Sequence, residues 1–275
     1  PPKGLDKRTV EETAAFVQWL LDDHFTFIGY REYDLRGDVG EESLSAVPGT
    51  GLGVLRSDQP SQRAFAKLPA KVRSLAREPV TLVLTKANSR STVHRRSYLD
   101  YVGVKRFDDA GRVTGEQRFL GLYSASAHAQ SVRSIPVLRE RVVEVLDLAN
   151  ADPESHSGKA IEHFLETYPR DEMFATPASD LAAIGLAVSQ IAERRQTRLF
   201  SRRDPYGRYA SCLVYLPRDR YNTATRLRIQ RILQDAYGVS IIDHPAHVSD
   251  SVLARLHFVV RAASGEELGE PDLLG

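Results

Sequence analysis

The chain of 275 residues has one cysteine, one methionine and one tryptophan. With Cys212 alone, no disulfide can form within the chain, and a scaffold held by cross-links is excluded. That usage fits a reducing, cytoplasmic compartment. Long apolar runs are missing too: the longest is about six residues, against the roughly 20 needed to span a bilayer. A secretory leader is not apparent at the start. Charge of one sign is also lacking, because 37 basic residues face 36 acidic ones for a net +1. Such balance gives no global steering toward nucleic acid or an anionic membrane, although local patches remain open.

What is present is ordinary globular material, with 42% hydrophobic and 27% charged residues. The length suffices for two domains of roughly 100–150 residues. The chain opens on Pro1 and closes on the loop-like Glu266–Gly275. It therefore reads as a piece cut from a longer protein.

Hydrophobic periodicity orders the elements. Thr9 and Glu12 form a capping box ahead of a helix with Val10, Ala14, Val17 and Leu21 on one face. A strand follows over Phe25–Leu35, then a loop over Gly37–Thr50 and a short strand at Gly51–Arg56. Pro60–Arg77 reads as short helices broken at Pro69. Three strands come next, Val80–Lys86, Tyr98–Phe107 and Gln117–Tyr123, the last two joined by the turn Asp108–Gly111. Ala125–Ser134 reads as a linker.

Three helices are then expected. The first begins at Pro136, with Leu138, Val142, Val145, Leu146 and Ala149 as its stripe. The second carries Ile161, Phe164, Leu165 and Tyr168 and stops at Pro169. The third has Thr176 as cap, Pro177 at its first position, and the stripe Leu181, Ile184, Val188 and Ile191. From Thr197 the period changes to two. Strands Thr197–Arg203 and Arg208–Leu216 flank the turn Asp204–Gly207. A helix capped by Asn222 or Thr223 follows, with Leu227, Ile229, Ile232, Leu233 and Ala236 facing inward and Gly238 at its end. Extended segments Val239–Val248 and Val252–Arg261 complete the order. The expected fold class is α+β: two small antiparallel-sheet domains joined by a helical segment.

Catalytic signatures fail one by one. Gly49–Gly53 precedes a strand instead of opening a helix after one, so it is not a dinucleotide loop. Ser157–Gly158–Lys159–Ala160 lacks the earlier glycine and the following hydroxyl of a phosphate loop. His244 and His247 would face opposite ways on a strand and cannot easily share one metal. Cys212 alternates like a packed strand residue. No catalytic, cofactor-binding or metal-binding residue is assigned.

Two basic clusters remain. One is Lys86, Arg90, Arg95 and Arg96; the other runs from Arg194 and Arg195 through Arg198, Arg202, Arg203 and Arg208 to Arg218, Arg220, Arg226 and Arg228. Arginine pairs bidentately with carboxylates. The readings are a solvated or ion-paired face, a site for a small carboxylate ligand, or single-stranded nucleic acid helped by Tyr206, Tyr209 and Tyr221. The balanced charge argues against the last.

Several runs together resemble the large bacterial NAD-specific glutamate dehydrogenases. They are His24–Tyr33, Leu84–Arg95, Tyr98–Lys105, Arg202–Tyr209, Ser211–Tyr215 and Pro217–Thr223. The resemblance covers nearly the whole chain and implies its regulatory N-terminal region, with catalysis in a distant part of the parent. It implies a PAS-like domain over 1–130, a helical connector over 131–194 and an ACT-like domain over 195–275. The second domain departs from the usual ACT order in having two strands, one helix and two strands. For the parent the resemblance implies NAD and the oxidative deamination of L-glutamate to 2-oxoglutarate and ammonium. The implied partners are the rest of the chain and other subunits of a homo-oligomer, with no nucleic acid and no membrane. If an amino-acid effector binds, its carboxylate is expected at Arg202, Arg203 or Arg218 and its ammonium at Asp204 or Asp219. The alternative is a purely structural scaffold.

Overall fold

The computed structural model describes residues 3–57, 70–91, 97–239, 242–243, 252–262 and 268–271. The chain divides into two compact units, Pro1–Glu140 and Arg141–Gly275.

The first unit opens with helix α1 (Lys7–Trp19), one turn earlier than the capping box suggests. Its cap is Asp6, whose carboxylate accepts from the Thr9 backbone N–H at 3.0 Å. Asp caps a helix as well as Thr does, and the face of α1 that is buried carries Phe16 and Trp19, whereas Ala14 and Leu21 of the expected stripe are exposed. Glu12 instead accepts from the Val137 backbone N–H at 2.9 Å and pairs with Arg139. A wide turn, Leu20–His24, then delivers β1 (Phe25–Arg36).

Within the expected loop lies β2 (Ser43–Ala46), paired to β1, and the expected strand at 51–56 shrinks to β3 (Leu52–Gly53). Helix α2 (Ala70–Arg73) and a 3-10 turn at Ser74–Arg77 lead to β4 (Leu82–Arg90), β5 (Tyr98–Phe107) and β6 (Val113–Tyr123). The sheet is antiparallel in the order β2-β1-β6-β5-β4, with β3 on β1. The β5–β6 hairpin closes as the sequence indicates: Asp108 accepts from the Ala110 and Arg112 backbone N–H groups at 3.0 and 2.8 Å. Leu55, Ala87, Leu99, Leu120 and Leu122 form one apolar cluster on this sheet.

The segment read as a linker is instead packed structure. It holds α3 (Ala125–Ala129) and a 3-10 turn (Val132–Ser134), with Ala127, Val132 and Ile135 buried. Its serines mislead because they act as caps: Ser124 accepts from the Ala127 N–H and Ser131 from the Arg133 N–H. Small polar residues signal helix starts as readily as loops.

Helix α4 (Leu138–Leu148) leads into the second unit, followed by α5 (His156–Thr167). The buried stripes are largely those read from the sequence: Leu138, Val142, Val145 and Leu146, then Ile161, Phe164, Leu165 and Tyr168. Pro169 ends α5, but it also starts α6 (Arg170–Ala175), which periodicity missed because six residues give less than two turns. Thr176 is therefore not a cap. Its hydroxyl donates back to the Glu172 carbonyl at 2.7 Å, and Pro177 precedes α7 (Ala178–Arg194).

Strands β7 (Arg198–Arg203) and β8 (Tyr209–Pro217), helix α8 (Thr223–Tyr237), and strands β9 (Ile242–Asp243) and β10 (Leu253–Arg261) complete the chain. The sheet order is β7-β8-β10-β9, with every pair antiparallel. Because β10 lies between them, β8 and β9 are parallel, and α8 makes the crossover of a split β-α-β unit. Asn222 caps α8 on the Thr225 N–H at 2.8 Å, and Gly238 ends it at φ 64°. A side chain at such a φ is disfavoured. Leu233 and Tyr237 of α8 are buried against the sheet, while Leu227 and Ile232, expected to face inward, are 41% and 55% exposed.

Candidate functional site

Every residue of β8 and of β10 is buried, so the four-stranded sheet is covered on both faces. Alternation along a strand sends neighbours to opposite sides. One side carries Ala210, Cys212, Val214 and Leu216 of β8 with Ala254, Leu256, Phe258 and Val260 of β10, packed with Leu233 and Tyr237 of α8. The other side carries Tyr209, Ser211, Leu213 and Tyr215 opposite Arg261, Val259, His257 and Arg255, with Phe200 and Arg202 from β7. This second side is a buried polar layer, and α6 supplies its counter-charge.

Glu172 of α6 is 2% exposed and takes a 2.6 Å ion pair from Arg202. Its other oxygen lies 3.9 Å from His257 Nε2. Ser211 meets the same His257 nitrogen at 3.0 Å. Burial works against the Arg202 charge, but Glu172 and Tyr209 more than offset it and hold the guanidinium above its usual value. Arg261 lies 4.8 Å from the centre of the Tyr209 ring. Arg255 stands beside Tyr215, whose hydroxyl burial pushes up to about 12, and Tyr168 is likewise raised by burial. Removing one member of such a buried pair costs about 3–5 kcal/mol, since the other charge is left uncompensated.

Helix α6 is held at both ends. Arg141 donates to the carbonyls of Met173, Phe174 and Thr176 at 2.7, 2.9 and 3.1 Å, where a helix C-terminus needs donors. At its start, Arg170, the first residue of α6, reaches the carbonyls of Leu165 and Glu166, at the end of α5.

The serine, histidine and glutamate do not form a hydrolytic triad. A triad needs the hydroxyl and the acid on opposite ring nitrogens, whereas Ser211 and Glu172 both approach Nε2. Cys212 is fully buried, and burial pushes its thiol up, away from the thiolate a nucleophile requires. Among the described residues no group of three or more His, Cys, Asp or Glu side chains could hold a metal, and no helix is long and apolar enough to cross a membrane. His244, His247, Arg95 and Arg96 lie outside the described residues.

The five residues expected to meet an effector are not gathered in one place. Arg202 and Arg203 are strand neighbours on opposite faces, the first paired to Glu172 and the second to Glu270. Asp204 is 3% exposed and serves the β7–β8 turn: it pairs with Arg208 at 2.7 Å and accepts from the Tyr206 and Arg208 N–H groups. Arg218 and Asp219 follow the far end of β8, about 25–30 Å along a strand from the turn at about 3.3 Å per residue. There Asp219 pairs with Arg195 at 2.6 Å. Tyr209 is fully buried and offers no face to a base.

Sequence reasoning missed Glu172, Ser211 and His257. A signal existed for two of them. Polar and aromatic residues at 209, 211 and 215 and at 255, 257 and 261 all fall on one side of the strand alternation, interrupted by Leu213 and Val259, which marks a second, polar face. Nothing local singles out Glu172.

Residues 198–274 match the ACT2 domain of glutamate dehydrogenase and residues 135–194 its helical motif 1. Over 274 residues, 99% of this chain and 17% of the relative, the chain is 39% identical to the NAD-specific glutamate dehydrogenase of Halomonas elongata. It is 39% identical over 256 residues to that of Pseudomonas aeruginosa, covering 92% of this chain and 16% of the relative. Identity to the protein of the same name from Mycobacterium tuberculosis is 33% over 260 residues, 94% of this chain and 15% of the relative. The chain thus spans about one sixth of the length of these curated relatives. The Arg202–Glu172 pair joins a residue of the helical-motif match to one of the ACT2 match.

Proposed function

The chain belongs to the NAD-specific glutamate dehydrogenase family, and from that premise we propose that it is a non-catalytic regulatory and assembly segment of such an enzyme. The complete protein would use NAD to deaminate L-glutamate oxidatively to 2-oxoglutarate and ammonium, with the chemistry outside these residues. Its domains on this reading are a PAS-like domain over 1–130, a helical connector over 131–194 and an ACT-like domain over 195–275. The PAS-like assignment leans on the order of three strands, a short helix and three strands in one antiparallel sheet; the ACT-like one leans on the ACT2 match and the split β-α-β sheet. The expected location is the cytoplasm.

The observation that carries the reading is the buried Arg202–Glu172 pair. It fastens helical-motif residues to the ACT2 sheet, so a displacement of the helices must either move the sheet or break the pair. That is the physical requirement for relaying a change of state. The arginines of the hairpin support scaffold duty over an effector site, since Arg202, Arg203 and Arg208 are each paired with an acid of the chain.

Thermal unfolding of the chain against a panel of free amino acids, with NAD, tests this. A ligand at about 100 times its Kd stabilises by roughly 2.7 kcal/mol. The expected result is no shift with NAD and none with amino acids that depends on Arg203 or Arg218. A shift with one amino acid that vanishes in Arg203→Ala/Arg218→Ala would replace the scaffold reading by an effector site. A shift with NAD would overturn the non-catalytic reading.

A further inference from the structure

Two exposed helix faces of the second unit carry the same pattern with opposite charge. On α4 the outward residues are Val143, Glu144, Asp147 and Leu148; on α8 they are Leu227, Arg228, Arg231 and Ile232. Each is an apolar residue, a charge, two inward residues, a charge and an apolar residue. At 100° per residue the four side chains span about 140° of either helix. All four aliphatic residues are unusually open for their kind, with Val143 48%, Leu148 55%, Leu227 41% and Ile232 55% exposed.

The charges are as open as the aliphatics. Among the described residues Asp147, Arg228 and Arg231 make no ion pair, and Glu144 has only Arg141 nearby, whose guanidinium is committed to three carbonyls.

We propose that these two faces are halves of one interface between copies of this chain, α4 of one copy against α8 of the next. Both faces are exposed in the same folded unit, so they cannot be covering each other within one copy. The pattern reads the same from either end. Antiparallel packing therefore sets Val143 against Ile232, Glu144 against Arg231, Asp147 against Arg228 and Leu148 against Leu227. A two-fold arrangement uses each face once per copy and buries two such helix pairs in a closed dimer. The charges select the partner and the aliphatic residues supply the contact. This specifies the assembly half of the function proposed above; the ligand series can fail while it stands, and the reverse.

Sedimentation of the 275-residue chain and of two charge-reversed variants tests the interface. Glu144→Arg/Asp147→Arg makes both faces basic, and Arg228→Glu/Arg231→Glu makes both acidic. The wild type is expected to self-associate. Each variant alone should need at least about tenfold higher concentration to do so, as like charges then face each other. Mixed together, the two variants should assemble into a heterodimer at wild-type concentrations, since every contact is again between opposite charges. A monomeric wild type, variants that associate as the wild type does, or a mixture that stays monomeric would each overturn the proposal. The mixture also guards against misfolding, because an unfolded variant cannot be rescued by its partner's charges.

Discussion

On one side of the four-stranded sheet, Cys212, Val214, Leu256 and Phe258 meet α8 in a largely apolar cluster, with the Tyr237 hydroxyl on Ser201 at 2.7 Å as its polar contact beside the Cys212 thiol. On the other, His257, Arg255 and Arg261 are buried and Arg202 nearly so; Arg202 and His257 face Glu172 of α6, and Arg261 lies over the Tyr209 ring. The first side is held by area and shape, which many residues can satisfy. The second depends on partners, since an unpaired buried charge costs far more than a smaller apolar contact. The same two strands thus carry one tolerant face and one exacting face. The exacting one is where helical-motif residues are joined to the sheet.

The largest effect should come from opening that pair. Glu172→Ala leaves Arg202 buried without its acid and should cost about 3–5 kcal/mol, read from urea unfolding. Glu172→Leu combined with Arg202→Met should recover most of the loss, because an apolar pair of similar volume often replaces a buried ion pair. If the double variant is as unstable as the single, the polar face is held by something other than this pair. On the apolar face, Leu256→Ala should cost about 2–5 kcal/mol, with no second substitution on the polar face able to restore it.

Smaller effects test the frame around the sheet. Asn222→Ala removes the α8 cap and should cost about 1 kcal/mol; a negligible change would mean that α8 is held by its packing on the sheet alone. In the first unit a carboxylate works near the surface instead. Arg139 and the Val137 N–H outweigh partial burial and hold Glu12 below the usual carboxylate range. A depressed acid contributes stability above its unfolded pKa of about 4.3, and that contribution is lost as pH falls through the lower folded value. Glu12→Gln should therefore lower stability at neutral pH and flatten the decline below about pH 4. Smallest of all, Asp219→Ala should change stability by less than about 1 kcal/mol, because the Arg195 and Asp219 side chains are 68% and 61% exposed and water screens the pair.

Much of the fold was legible from the residues. The bounds of β5, the Asp108 hairpin, the stripes of α4 and α5, and the Gly238 stop of α8 follow from period, turn chemistry and capping alone. Short elements were not: β2 and α6 contain four and six residues, too few for a period to show. The inward assignment of Leu227 and Ile232 failed for another reason. Hydrophobicity marks a residue that prefers to leave water, but it does not say whether the cover comes from the same chain. The arginine-rich hairpin was legible as unusual, yet pairing Arg202 with Glu172 joins residues 30 apart that share no local pattern.

The sequence by itself determined the α+β class, the order of the longer elements, the absence of a disulfide framework and the family, because these depend on periodicity, turn residues and extended local runs. Only the tertiary structure decided which arginines are tied to internal acids, that Ser211 and Glu172 share one nitrogen of His257, and which aliphatic residues stay exposed. Those are properties of distance and burial between distant segments. A one-dimensional pattern carries the strand faces, but the element that packs against each face is set by the fold.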